Sequence, residues 1–168
     1  METPSPGMYK TNFDRAMFED SGKAGIGVII RNSRGEVMAS LAKKIKNKKN
    51  NRSSVETVEL LAARWAVILV QELDFENSIF EGESEIVINP LQNDDRLKSS
   101  IGHLVQDTLS FVNSLKSWSF SHIGKQGNAV AHPLAKITRL SFSVDIWMES
   151  VFLGIFNVLS VDLPKKLL

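Results

Sequence analysis

Three strand-like segments joined by short polar turns begin the chain, and this pattern restricts its possible folds more than any other feature. Apolar and polar residues alternate from Tyr9 to Asp14, which we expect to end the first strand. Residues 25–31 predict a second strand and residues 37–45 a third. Because consecutive strands with short connections pair antiparallel, these segments predict a meander.

Helix-like segments and two further strands follow in the rest of the chain. Ser53 and Ser54 offer an N-cap to a long apolar-periodic segment over residues 55–73, which predicts the main helix. The other predicted helices cover residues 84–92, 97–115 and 127–140, and the other strands cover residues 78–80 and 118–122. This order predicts an α/β domain with a mixed five-stranded sheet, an antiparallel meander followed by parallel strands, flanked by helices.

The chain divides into a start, one domain and a C-terminal extension. Residues 1–7 are rich in proline and glycine, which predicts a linker or a disordered start. Residues 8–143 hold the predicted domain. Residues 144–168 form an amphipathic extension, and we interpret its segment 146–163 as an appended helix.

Charge balance and cysteine content exclude several classes of protein. The chain has 20 Lys and Arg against 19 Asp and Glu, so no overall field draws it to nucleic acid or to a membrane. It has no cysteine, which excludes disulfides, a cysteine-based metal site and a cysteine nucleophile. The start lacks a secretory pattern, and the apolar run over residues 65–70 is far shorter than the ~20 residues that span a bilayer. We therefore expect a monomer without membrane contact, in the nucleus or cytoplasm rather than secreted.

Three acidic residues are candidates for one shared site. At ~100° per residue from Val55, Glu59 falls at about 40°, on the edge of the apolar stripe, whereas Glu56 lies outside it. A carboxylate that faces the sheet must be paired, hydrogen-bonded or bound to metal. Asp14 and Glu83, at the expected ends of the first and fourth strands, can reach the same place. Three convergent carboxylates are typical of a site for a hard cation.

Five sequence blocks carry a resemblance to a known family. In chain order they read YKTNFD, GKAGIGVIIRN, VELLAARWA, FEGESEIVIN and SHIGKQGNAVAHPLA. Together they resemble ribonuclease H type 1, and most closely the version that follows the reverse transcriptase in plant LINE-type retrotransposons. The resemblance covers residues 6–140.

The resemblance implies a ribonuclease H-like fold and hydrolysis of the RNA strand of an RNA–DNA hybrid. In that family, acidic residues hold two Mg²⁺ ions, one activating water and the other stabilising the leaving 3′ oxygen; Mn²⁺ is the alternative metal. By motif, the implied metal ligands and catalytic residues are Asp14, Glu59, Glu83 and His132. The resemblance further implies that His122 moves protons or helps product leave, and that Asn128 lies near the substrate.

The sequence departs from the family pattern at the site itself. Arg15 stands where the family has glycine, and its cation can compete with a metal for Asp14. Glu83 and His132 each replace aspartate, and the histidine nitrogen suits Mn²⁺ better than Mg²⁺. Pro90 and Pro133 are expected to enter helices after the first turn and to kink them. These departures predict weakened or lost nuclease activity.

Each candidate also has a purely structural interpretation. Glu59 can form an ion pair with Lys10 or Arg15 across the sheet. Glu83 can serve as the anion at the N-terminus of the next helix. His132 can be an ordinary histidine on a helix surface. The sequence leaves these alternatives open.

A basic cluster follows the predicted meander. It has no acidic residue within it, so it is either a solvated loop or a contact for nucleic-acid phosphates. Its members are Lys43, Lys44, Lys46, Lys48, Lys49 and Arg52. Three functions therefore compete: a nuclease acting on RNA–DNA hybrids, a non-catalytic binder of hybrid or other nucleic acid, and a protein-interaction relic of a retrotransposon.

Overall fold

A computed structural model describes residues 4–45, 54–94 and 101–139, together with the backbone of residues 144–148. Six strands and four helices occur in these ranges. In chain order they are β1 (Tyr9–Phe18), β2 (Lys23–Arg31), β3 (Val37–Ile45), α1 (Val55–Glu72), β4 (Asn77–Gly82), α2 (Glu85–Asn93), α3 (Gly102–Val112), β5 (Ser117–His122), α4 (Ala131–Ile137) and β6 (Val144–Met148).

The strands form one mixed sheet in the order β5-β4-β1-β2-β3-β6. β1, β2 and β3 pair antiparallel, as the short turns predict. β4 pairs parallel to β1, and β5 pairs parallel to β4. The predicted α/β class, with a meander followed by parallel strands, is confirmed.

The sheet has one strand more than the sequence predicts. The appended helix expected over residues 146–163 is wrong for its first three residues, because Val144–Met148 is β6 and pairs antiparallel with β3. An unpaired edge of β3 would expose a row of backbone N–H and C=O groups, and a short alternating segment satisfies them. Residues 149–168 lie outside the described residues.

β1 also differs from expectation, because Asp14 does not end it. The strand continues to Phe18, whose Cα pairs with that of Lys23 on β2. Its pairing with β4 is shorter and stops at the pair between Asn12 and Glu81. Beyond Asn12, β1 therefore keeps a partner on its β2 side only.

The two faces of the sheet carry different helices. Phe13 and its cross-strand partner Val28 belong to the main hydrophobic core, which includes the buried side of α1. Asp14 and its partner Gly27 face the other way, because a Cβ on Gly27 would lie 2.6 Å from the backbone nitrogen of Ala135 in α4. Odd-numbered residues of β1 therefore face α1 and even-numbered residues face α4.

The two helix prolines behave differently. Pro90 lies inside α2, as predicted. Pro133 is only the third residue of α4, where a backbone N–H has no partner within the helix, so the expectation that it kinks the helix is wrong. α4 starts at Ala131 rather than at residue 127. No helix in the described ranges is long and apolar enough to cross a membrane.

We expect Gly27→Ala to destabilise the fold, because the new methyl group would collide with the α4 backbone. The free energy of unfolding should fall by about 2 kcal/mol, measured by urea denaturation. Gly124→Ala is the matched control, since nothing lies within 4 Å of a Cβ at that position. Equal stability of the two variants would contradict the close packing of α4 on β2.

Candidate active site

The candidate site lies where β4 ends beside β1. β4 stops at Gly82, so the β1 residues past Asn12 lie next to a gap rather than a strand. Glu83 directly follows β4, and Asp14 lies two residues past the last β1–β4 pair. We call this gap the notch, and define it by Asp14, Arg15 and Glu83 with Glu59 of α1. It lets side chains from opposite faces of the sheet approach one another.

Glu59 reaches the notch from α1. The hydroxyl of Ser54 accepts a hydrogen bond from the Thr57 backbone N–H, which caps the helix and sets its phase. With this phase Glu59 is only 2% exposed, as helix geometry predicts for the edge of the apolar stripe. The carboxyl group of Glu59 is thus almost completely removed from water.

The three predicted carboxylates influence one another electrostatically. Burial, and then the charge of Asp14, raises the pKa of Glu59 to about 8, while Arg15 opposes this rise and Glu83 adds to it. Burial and the charge of Asp14 also raise the pKa of Glu83. The structure therefore brings Asp14, Glu59 and Glu83 close enough to act on one another electrostatically.

Asp14 is joined to α4 through His132. The Oδ2 atom of Asp14 lies 2.9 Å from Nδ1 of His132, and Oδ1 accepts the backbone N–H of Arg15 at 2.8 Å. Asp14 is 4% exposed, whereas the His132 side chain is 42% exposed. His132 is therefore more than a surface histidine, because it contacts the first predicted acid. Whether it binds a metal stays a prediction.

Arg15 contacts Glu59 on the α1 side of β1, opposite the side on which Asp14 contacts His132. Its Nε atom lies 3.8 Å from Glu59 Oε2, within ion-pair range. No hydrogen bond reaches Arg15 Nε or Glu59 Oε1 among the described residues. Of the two ion pairs that the sequence allows for Glu59, the structure forms the one with Arg15, since Lys10 lies 3.4 Å from Glu81 instead.

His122 stands beside Glu83 at the end of β5. Its Nε2–H donates to the backbone oxygen of Glu83 at 2.8 Å, and its Nδ1 lies 3.9 Å from Glu85. The histidine thus supports the backbone that carries the third predicted acid. Ser84, not Glu83, is the N-cap of α2. The proposed part of His122 in proton transfer or product release stays a prediction.

Asn128 lies in the turn before α4. It is 1% exposed, and its Nδ2 donates to the Phe13 backbone oxygen at 2.8 Å. This bond ties the start of α4 to β1, next to Asp14. Contact between Asn128 and substrate stays a prediction, and the structure adds a positional role for the side chain.

Only part of the predicted basic cluster lies in the described chain. Lys43 and Lys44 are near the end of β3, and the ammonium of Lys43 lies 4.7 Å from the centre of the Trp65 ring, a cation–π distance. The members outside the described residues are Lys46, Lys48, Lys49 and Arg52.

One basic residue at the site escapes prediction from the sequence. The charge of Lys125 opposes the rise in the pKa of Glu83, so the lysine belongs to the electrostatic surroundings of the notch. Its only sequence signal is its position three residues after His122 in the fifth block.

The donor types suit a hard cation, but their arrangement does not fit a pair of metal ions. Within residues 4–45, 54–94 and 101–139, no group of three or more acidic or histidine side chains is placed to hold one. Both Asp14 oxygens already accept or share hydrogen bonds, and Glu59 faces the guanidinium of Arg15. The residues do not fit the two-ion centre that the family resemblance implies.

We expect Glu59→Gln to gain stability over the wild type as pH rises. The pKa of Glu59 is about 8 in the folded state and 4.5 in the unfolded state, so the proton on Glu59 stabilises the folded state. This stabilisation is complete below pH 4.5 and is lost as the pH rises through 8. Glutamine does not titrate, so its contribution to the free energy of unfolding stays constant in this pH range. The difference in unfolding free energy should grow by about 3 kcal/mol between pH 5 and pH 8, measured by urea denaturation.

The control for this experiment is Glu56→Gln on the same helix. It should track the wild type at every pH, because Glu56 lies away from the notch. If the free energies of unfolding of Glu59→Gln and the wild type differ by the same amount at every pH, the pKa of Glu59 is not raised by folding.

Comparisons with known proteins agree with this fold. The sequence model of the family described as "Reverse transcriptase-like" matches residues 12–138. No curated protein sequence gives a significant match. Among solved structures, RNase H1 from the archaeon Halobacterium salinarum superposes with a TM-score of 0.67 at 19% identity, covering 77% of this chain and 95% of that one.

Two further structures share the fold. The N-terminal RNase H domain of a Mycobacterium tuberculosis protein gives a TM-score of 0.66 at 15% identity, covering 77% of this chain and 91% of that one. LC11-RNase H1, from compost metagenomes and solved with an RNA/DNA hybrid, gives 0.66 at 18% identity, covering 77% and 94%. Because the family match spans well over half of the sequence, the chain is an RNase H-like domain that belongs to the reverse transcriptase-like family.

Proposed function

We propose that this chain binds RNA–DNA hybrids as an RNase H-like domain and that it has lost efficient hydrolysis of the RNA strand. The observation that carries the proposal is the Arg15 guanidinium against Glu59 in the notch of this fold. Hybrid recognition is supported by the family match and by the fold shared with LC11-RNase H1, which was solved with a hybrid. An origin in a plant LINE-type retrotransposon is part of the proposal and rests on the five sequence blocks.

The binding surface in this proposal is the basic cluster. The ammonium of Lys43 lies 4.7 Å from the centre of the Trp65 ring of α1, so at least one member of the cluster has a contact within the fold. Six cations without an intervening acid attract a phosphate backbone even though the whole chain is nearly neutral. In this proposal the basic cluster gives the domain a local affinity for phosphate groups that its near-zero net charge does not indicate.

We expect the purified protein to bind a fluorescent RNA–DNA hybrid in EDTA, with an affinity that falls as KCl rises. Replacing Lys46, Lys48 and Lys49 together by glutamine should weaken binding and reduce the slope of log affinity against log salt by about 2–3. The readout is fluorescence anisotropy over a series of KCl concentrations.

A matched triple variant, Lys23→Gln with Lys116→Gln and Lys136→Gln, controls for net charge. It should bind like the wild type, because these residues lie outside the basic cluster. Equal binding of both triple variants, or an affinity independent of salt, would exclude the basic cluster as the binding surface. Equal affinity for duplex DNA would exclude recognition of the hybrid.

Hydrolysis of the RNA strand by Mg²⁺ or Mn²⁺ catalysis is the second candidate function. The observation that favours it is the convergence of Asp14, Glu59 and Glu83, with His132 on Asp14. Such a cluster of perturbed carboxylates is typical of active sites as well as of structural ion pairs.

We expect no cleavage of a labelled RNA–DNA hybrid by the wild-type protein in either Mg²⁺ or Mn²⁺, measured on denaturing gels with enzyme in excess. Asp14→Asn tests any activity that appears, and Asp20→Asn, an exposed acid paired with Arg139, is its control. Cleavage that Asp14→Asn abolishes and Asp20→Asn retains would establish the second function and overturn the loss of hydrolysis.

A further inference from the structure

Arg15 is a cationic side chain that points from β1 against a buried carboxyl group. Its cross-strand partner Ile26 belongs to the core on the α1 face, so Arg15 faces α1 whereas Asp14 faces α4. The Glu59 side chain is 3% exposed and the Arg15 side chain 34%. The ion pair is therefore not an ordinary surface contact, because one partner has almost no access to water.

From this placement we infer that Arg15 is a built-in counter-cation, which occupies the electrostatic role of a divalent ion in the notch and excludes that ion. The inference rests on the proposed loss of hydrolysis and names its cause. Among the described residues the acidic and histidine side chains are not placed to hold a metal ion, and we attribute this to the guanidinium of Arg15 beside Glu59.

The charges around the notch carry this conclusion. Burial and then the charge of Asp14 raise the pKa of both Glu59 and Glu83, and the guanidinium of Arg15 opposes this rise in both. A divalent cation entering the notch would have to approach this fixed positive charge in a poorly solvated place, where repulsion is strong. Arginine cannot lose its proton to relieve that repulsion.

The oxygen atoms needed by a metal are still present. Glu59 Oε1 is buried and accepts no hydrogen bond from the described residues. Arg15 Nε is equally without a hydrogen bond, although it lies 3.8 Å from Glu59 Oε2. Removing the guanidinium would therefore free an oxygen ligand without breaking a hydrogen-bond network.

The test measures metal binding by Arg15→Gly, without nucleic acid. Isothermal titration with MnCl₂ and MgCl₂, and thermal unfolding in each salt, should show Mn²⁺ bound at least ~10-fold more tightly than by the wild type. A ligand that binds only the folded state must raise the melting temperature, so the two readouts check each other. Arg15→Lys keeps the charge and should show no gain.

Two controls tie the gain to the notch. Arg34→Gly removes the same charge from an exposed turn, where the side chain pairs with Glu36, and should leave metal affinity unchanged. Adding Glu59→Gln to Arg15→Gly should abolish the gain, because the freed ligand is then lost. Arg15→Gln serves in place of Arg15→Gly if glycine in the strand prevents folding.

The inference is overturned if the wild type binds Mn²⁺ as tightly as Arg15→Gly does, or if the folded variants at position 15 gain nothing. The titration contains no hybrid, so its failure leaves hybrid binding by the basic cluster intact. Absence of hybrid binding, in turn, leaves the metal result unaffected.

Discussion

The difference in length between two neighbouring strands organises this molecule. β1 has 10 residues and β4 has 6, and their pairing covers only the first part of β1. Where β4 ends, the sheet no longer separates its two faces. A carboxyl from α1, another from β1 and a third from the end of β4 can then share one field.

Two side chains contact the acidic residues from opposite faces of the sheet. Arg15 lies against Glu59 on the α1 side, and His132 shares a hydrogen bond with Asp14 on the α4 side. The alternation of side chains along a strand makes this division unavoidable, since residues 14 and 15 must point to opposite faces. The side chain of Arg15 therefore contacts Glu59 rather than the side chain of Asp14, the residue before it.

The position of α4 depends on close backbone contact and on one buried amide. Gly25 and Gly27 leave room for the helix on the meander, and Asn128 bonds the preceding turn to the Phe13 carbonyl. These contacts bring His132 to Asp14 over a sequence separation of 118 residues. Asn128, which the family resemblance places near the substrate, thus also helps to position α4 in the structure.

Local pattern was sufficient for the meander, the main helix and the burial of Glu59, because alternation, capping and helical periodicity act over a few residues. The full length of β1 and the pairing of β6 with β3 required tertiary structure, since strand ends depend on distant partners. The same holds for the choice between Lys10 and Arg15 as the partner of Glu59. The sequence alone identified the charged residues of the site. Only the tertiary structure determined which of them contact one another, because those contacts depend on where the neighbouring strand ends.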